Sequence, residues 1–152
     1  MALLSMGGVP DRHTYLSRLP ADLNWHLVIA GADTHSSAHP NVHLLPTHSG
    51  FFHPDLMAAA NAIIGKAGYS TVAEAHHCGV PFGFINRPGS PESAILEAYI
   101  ERNLPSKAIP PAAYASGEWI AMVPELFELC RKEHEKGNGA DEVASYIARL
   151  PA

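Results

Sequence analysis

The segment Gly65-Lys66-Ala67-Gly68-Tyr69-Ser70-Thr71-Val72-Ala73-Glu74 concentrates the residues best suited to chemistry in this chain. An apolar run ends there in a glycine-containing turn and passes into a helix-compatible stretch. Such a junction points free backbone N–H groups and the positive end of a helix dipole at one spot, which suits an anion. Gly68 lets a phosphate come close to the main chain, and Lys66 adds a cation. The pattern is not a P-loop, whose lysine follows a four-residue spacer and precedes Ser or Thr, because Lys66 is followed by Ala67. A second reading needs no ligand. Thr71-Val72-Ala73-Glu74 has the spacing of a capping box, in which Glu74 folds back onto the Thr71 N–H. Spacing alone leaves both open.

Two further loops deserve the same weighing. Gly7-Gly8 closes the first apolar run and either borders a ligand or merely turns the chain. In Arg87-Pro88-Gly89-Ser90-Pro91-Glu92, Ser90 suits an N-cap, Pro91 the first helical position and Glu92 the first turn, so local structure explains the loop without a ligand. The chain also has ten histidines, with a loose run at His35, His39, His43, His48 and His53. Prolines and a strand interrupt that run, so its rings are expected to diverge rather than to converge on a metal ion. His76 and His77 beside Cys78 are adjacent on an expected helix and do not share a face. No metal site is expected.

The elements that must hold these loops alternate in type. Strands are expected at 2–6, 25–30, 42–45, 62–64, 80–85 and 107–109, and helices at 11–19, 53–60, 71–78, 91–103, 118–135 and 141–150. Parallel strands need a crossover between them, so this order implies a Rossmann-like, doubly wound parallel α/β sheet, with residues 1–152 forming a single domain. Ligands of such sheets bind at the carboxyl ends of the strands, where all three loops lie. With 152 residues there is room for one core. Ten Lys plus Arg against fifteen Asp plus Glu, a net charge of −5, provides no basic field for nucleic acid. No apolar stretch approaches the ~20 residues needed to span a bilayer, the N-terminus lacks signal-peptide features, and Cys78 and Cys130 form no CxxC pair. A cytoplasmic location is expected.

Residues 61–81, with Gly65-Lys66-Ala67-Gly68-Tyr69-Ser70-Thr71, then Glu74-Ala75 and Gly79-Val80-Pro81, resemble the donor-nucleotide half of GT-B glycosyltransferases related to MurG, the GlcNAc transferase of peptidoglycan synthesis. The chain is more similar still to the glycosyltransferase-like module of plant arabinokinases and its bacterial stand-alone relatives. The 87–92 loop, Gly117-Glu118-Trp119 and Asn138-Gly139-Ala140 fall in matching order, so the likeness runs from Leu3 to the last helix. The resemblance implies a UDP-sugar donor and no other cofactor. It implies that Gly68, Tyr69, Ser70 and Thr71, with Lys66 nearby, receive the pyrophosphate and that Glu74 binds ribose hydroxyls. Gly7 and Gly8 border the phosphates, Leu45 and its neighbours face the uracil, and Arg87 and Glu92 lie toward the donor sugar. MurG-type enzymes carry amides near the sugar where this chain has Pro91 and Glu92.

A GT-B enzyme has a second, N-terminal domain that supplies the acceptor site, and the likeness here begins at the first strand of the C-terminal one. The expected partner is therefore that missing domain, in cis in a longer protein or in trans as in the split GlcNAc transferases of the dolichol pathway, and the isolated chain is expected to be inactive. Two alternatives stand beside the glycosyltransferase: half of a UDP-sugar epimerase, and a non-catalytic nucleotide-sugar-binding module as in arabinokinases.

Overall fold

A computed structural model describes residues 1–7, 13–32, 37–133 and 139–150 of the chain. Gly8, His35 and Asn138 lie outside the described residues.

Strands that are apolar on both faces must lie inside a sheet, and these do. Six parallel strands run in the order β3-β2-β1-β4-β5-β6, with β1 at Ala2–Ser5, β2 at Leu27–Ala30, β3 at Val42–Leu45, β4 at Ala62–Lys66, β5 at Phe82–Ile85 and β6 at Ser106–Ile109. The four inner strands are buried almost throughout. The edges are marked by side chains that resist pairing with another sheet: His43 points out of β3 and Lys107 lies on β6. β1 sits between β2 and β4 with Leu4 opposite both Ile29 and Ile64.

The period-2 alternation of each strand sends its side chains into two cores. Leu3, Ile63, Phe82 and Phe84 face α1 (His53–Ala59), α2 (Tyr69–Cys78) and α3 (Ser93–Asn103), meeting Met57, Val72, Ala75, Leu96 and Ile100. Leu4, Ile29, Ile64 and Ile109 face the opposite layer, where Tyr15, Tyr114 and Trp119 pack edge to face and stacked. Trp119 is fully buried and serves as that layer's centre. Gly65 makes the sheet possible at the site: a Cβ there would lie 2.5 Å from the Ser5 carbonyl oxygen, so only glycine lets β1 and β4 pass at this height.

Several expected elements are shorter or broken. The helix expected at 11–19 is, among the described residues, one 3-10 turn at Thr14–Arg18, since Tyr15 is its one buried anchor. The helix expected at 118–135 is a 3-10 turn at Glu118–Met122 followed by α5 at Val123–Phe127. Pro124 is the cause: it has no N–H to give a preceding carbonyl, but it fits the first turn of a new helix. Beyond α5 the chain runs back to Gly79, whose carbonyl accepts the Lys132 N–H, while Arg131 donates to the Ala58, Ala60 and Cys78 carbonyls. An additional helix, α4 at Pro111–Ser116, fills the stretch after β6. α6, at Gly139–Ile147, exposes Val143, Tyr146 and Ile147. None of the described helices is long and apolar enough to cross a membrane.

Candidate nucleotide site at the switch point

The chain leaves β1 toward β2 on one side and runs from β4 toward β5 on the other. The β1/β4 boundary is therefore the point where the strand order reverses and where such sheets open a crevice. A cleft of about 450 Å³ lies there, walled by the strand ends Ser5, Gly7, Ala30 and Leu45 and by His53, Ser70, Thr71 and Glu74 on α1 and α2.

α2 starts earlier than its sequence suggested, at Tyr69 with Gly68 as N-cap, and no side chain caps it. The capping-box reading is thereby overturned. Thr71 is already inside the helix and buried, and Glu74 is too far along it to reach back. The first main-chain bond of the helix is Val72 N–H to the Gly68 carbonyl, so the N–H groups before it are left for something else. Gly68 has an ordinary extended backbone (φ −126°), and nothing lies within 4 Å of where its Cβ would be. Neither strain nor crowding requires glycine there.

Lys66 closes β4 and lies over Gly7, itself left-handed at φ +57°: a Cβ on Gly7 would be 3.5 Å from Lys66 Cε and 4.0 Å from both Nζ and Thr71 Oγ1. No carboxylate among the described residues pairs with Lys66. Burial, and then the Arg87 charge, lower its pKa from the ordinary lysine value. Lys66 thus places a cation near the uncapped start of α2, while Arg87 is paired with Glu92.

Glu74 is engaged elsewhere. Its Oε2 lies 2.9 Å from His53 Nδ1, and His53 Nε2 lies 2.9 Å from Ser5 Oγ. One imidazole thus ties α1, α2 and β1 together on the cleft wall. Ser5, His13 and His53 are among the cleft residues that sequence reasoning did not assign to the site. His13 had a detectable signal only in three dimensions, a positive φ of 47° in a residue with a Cβ.

Of the residues singled out from sequence, Gly7, Leu45, Ser70, Thr71 and Glu74 line the cleft; Lys66 and Gly68 are not part of its lining, although the Lys66 side chain lies beside Gly7. Tyr69 does not line it and is largely exposed. Arg87 and Glu92 also stand outside its lining and pair with each other at 3.7 Å. Hydrogen bonds from its own backbone N–H and from Ser90, helped by Arg87, hold the Glu92 carboxyl below its usual range. Ser90 does not cap α3, which begins at Ser93 after a turn. The histidine run disperses: His39 Nε2 lies 3.0 Å from the Pro20 carbonyl, His43 pairs with His26, and His53 turns into the cleft. No group of three or more His, Cys, Asp or Glu gathers among the described residues.

No family model matches the chain. It is 26% identical over 152 residues to the L-arabinokinase of Arabidopsis thaliana, a match that takes in all of this chain and 14% of that protein. Among solved structures, it superposes on the glycotransferase of kitacinnamycin with a TM-score of 0.61 at 21% identity, covering 84% of this chain and 34% of that one. The spinosyn forosaminyltransferase SpnP gives 0.62 at 16% identity, over 97% of this chain and 43% of the other. SnogD from Streptomyces nogalater gives 0.55 at 17%, over 97% and 41%. The chain thus spans well under half the length of each of these proteins. Its six-stranded parallel sheet flanked by helices has the Rossmann-like fold of the C-terminal half of GT-B glycosyltransferases.

Proposed function

We propose that this chain is the donor half of a nucleotide-sugar-dependent glycosyltransferase, binding UDP or a UDP-sugar at the β1/β4 switch point. The observation that carries the reading is the uncapped start of α2 at Gly68, one helical turn and a half before a carboxylate and following a Lys66 that has no ion-pair partner among the described residues. In this reading the 68–71 backbone and Lys66 take the diphosphate, Glu74 takes ribose hydroxyls and the base lies against Leu45 and Pro46. The chemistry asked of this half is stabilisation of the departing diphosphate by fixed donors, with no covalent step. A second domain, in the same longer protein or in a partner, supplies the acceptor. A cytoplasmic location is part of the proposal, in keeping with two free cysteines.

A second reading, a nucleotide-sugar-binding module that does no transfer, draws support from the match to a protein named as a kinase. Both readings require the nucleotide site. Calorimetric titration of the chain with UDP should give saturable binding, and NMR shifts should cluster at 68–71 and Glu74. Saturable binding of an adenine nucleotide with none of UDP refutes the proposal.

A further inference from the structure

With a neutral imidazole and a carboxylate at Glu74, the hydrogen bonds of His53 have one consistent assignment. An ionised Glu74 accepts and cannot donate, so His53 Nδ1 carries the proton that lies toward Oε2. In the neutral ring Nε2 is then an acceptor, and the Ser5 hydroxyl donates to it. The order serine, histidine, carboxylate is that of a nucleophile triad. Ser5, however, ends an inner strand at the cleft wall and is only 5% exposed, so little of it is presented to a substrate. What the line does instead is hold a carboxylate. His53 and Glu74 are each about one-third exposed, at 34% and 32% of their side chains, and Glu74 Oε1 has no hydrogen-bond partner among the described residues. His53 is in turn held by Ser5 and by its place in the first turn of α1, ahead of Pro54.

We propose that His53 is a positioning residue that makes this site selective for ribonucleotides. By fixing Oε2, it turns Oε1 and the remaining lone pairs of Glu74 toward the ribose diol, so the site distinguishes ribose from 2′-deoxyribose. A glutamate free to rotate in the same cleft spends rotamer entropy on each contact and distinguishes them poorly. The inference rests on the nucleotide site proposed above.

The test is calorimetric titration of the whole chain with UDP and with 2′-deoxy-UDP, at one pH and salt concentration. Wild type should prefer UDP by about tenfold or more, the worth of a hydrogen bond to a charged group. His53→Ala should reduce that preference to about twofold or less, mainly by weakening UDP. His53→Asn offers an amide N–H near the place of Nδ1 and should restore most of the preference. His53→Gln reaches toward the place of Nε2, leaves Glu74 unheld and should not restore it. A ratio measured within each variant is insensitive to a general loss of stability, and the Asn/Gln pair carries the test if His53→Ala fails to fold. Wild-type preference retained in His53→Ala, or equal behaviour of the Asn and Gln variants, overturns the role of His53 while leaving the site intact. A full preference surviving in Glu74→Gln overturns the ribose role of Glu74 and this inference with it, while failure of wild type to bind UDP overturns the nucleotide reading itself.

Discussion

Two turns of this protein look alike in sequence and differ in kind. Each follows an inner strand at the same edge of the sheet, contains glycine and leads into a helix. The turn between β4 and α2 leaves its groups open: no side chain caps α2, Lys66 has no ion-pair partner among the described residues, and Ser70 and Thr71 in the first turn of α2 line the cleft. The turn between β5 and α3 satisfies its own groups. Ser93 donates its side chain to the Arg87 carbonyl and its N–H to the Ser90 carbonyl, and Arg87 and Glu92 pair with each other. Polar groups that a fold leaves unpaired at a cleft await a ligand, whereas those paired within the loop hold the loop. The contrast is why the proposed binding site is placed at the first turn and not at the second.

Glycine substitutions give the largest expected separation. Gly65→Ala puts a Cβ against the backbone of Ser5, which has no flexible end to move aside, and should cost about 3 kcal/mol, the upper part of the range for overpacking. Gly89→Ala meets open space and pays only for a left-handed φ of +87°, so a loss of about 1–2 kcal/mol is expected. Urea unfolding of the two variants measures both. Equal losses would mean that β1 and β4 are not as tightly apposed as the structure has them.

Lys66→Met comes next in size. Its pKa lies below the ordinary lysine value, so the folded chain holds that proton less firmly than the unfolded chain does. Stability should therefore rise with pH from the lowered value up toward the ordinary one, and lose that rise in Lys66→Met. The same substitution should weaken UDP binding several-fold, about 1 kcal/mol, by taking away a cation at the diphosphate. A melting-temperature series in pH beside one UDP titration checks both effects. UDP affinity unchanged in Lys66→Met would remove the lysine from the site.

Arg87→Ala and Glu92→Gln should do least. The pair is 3.7 Å apart and well exposed, so its loss should leave stability nearly unchanged. Neither residue lines the cleft, and Glu92→Gln should leave UDP affinity intact. A loss of UDP-sugar binding in Glu92→Gln, with UDP binding unchanged, would return the second turn to the site as a contact for the donor sugar.

Much of this molecule was legible from neighbouring residues. Apolar runs such as Ala62 to Ile64, glycine stops such as Gly79 at φ +62°, and the Gly-Lys junction ahead of α2 are local signals, set by backbone sterics and side-chain periodicity within a few positions. They led to the sheet, to most of its helices and to a glycine-containing turn ahead of α2. Pro124 was equally visible, but whether it ends a helix or begins one depends on what Val123 and Leu126 pack against. The role of Glu74 is the clearest case of a decision made in three dimensions. Its spacing to Thr71 spelled a capping box, and the competing partner, His53, lies 21 positions away and in turn meets Ser5, 48 positions further back. Those groups become neighbours only once β1 and β4 are paired through Gly65 and α1 and α2 are laid on one face of the sheet. Sequence spacing determines which groups can meet along one element; which groups meet across elements is chosen by packing, because burial of the two cores sets where every strand end and helix start must lie.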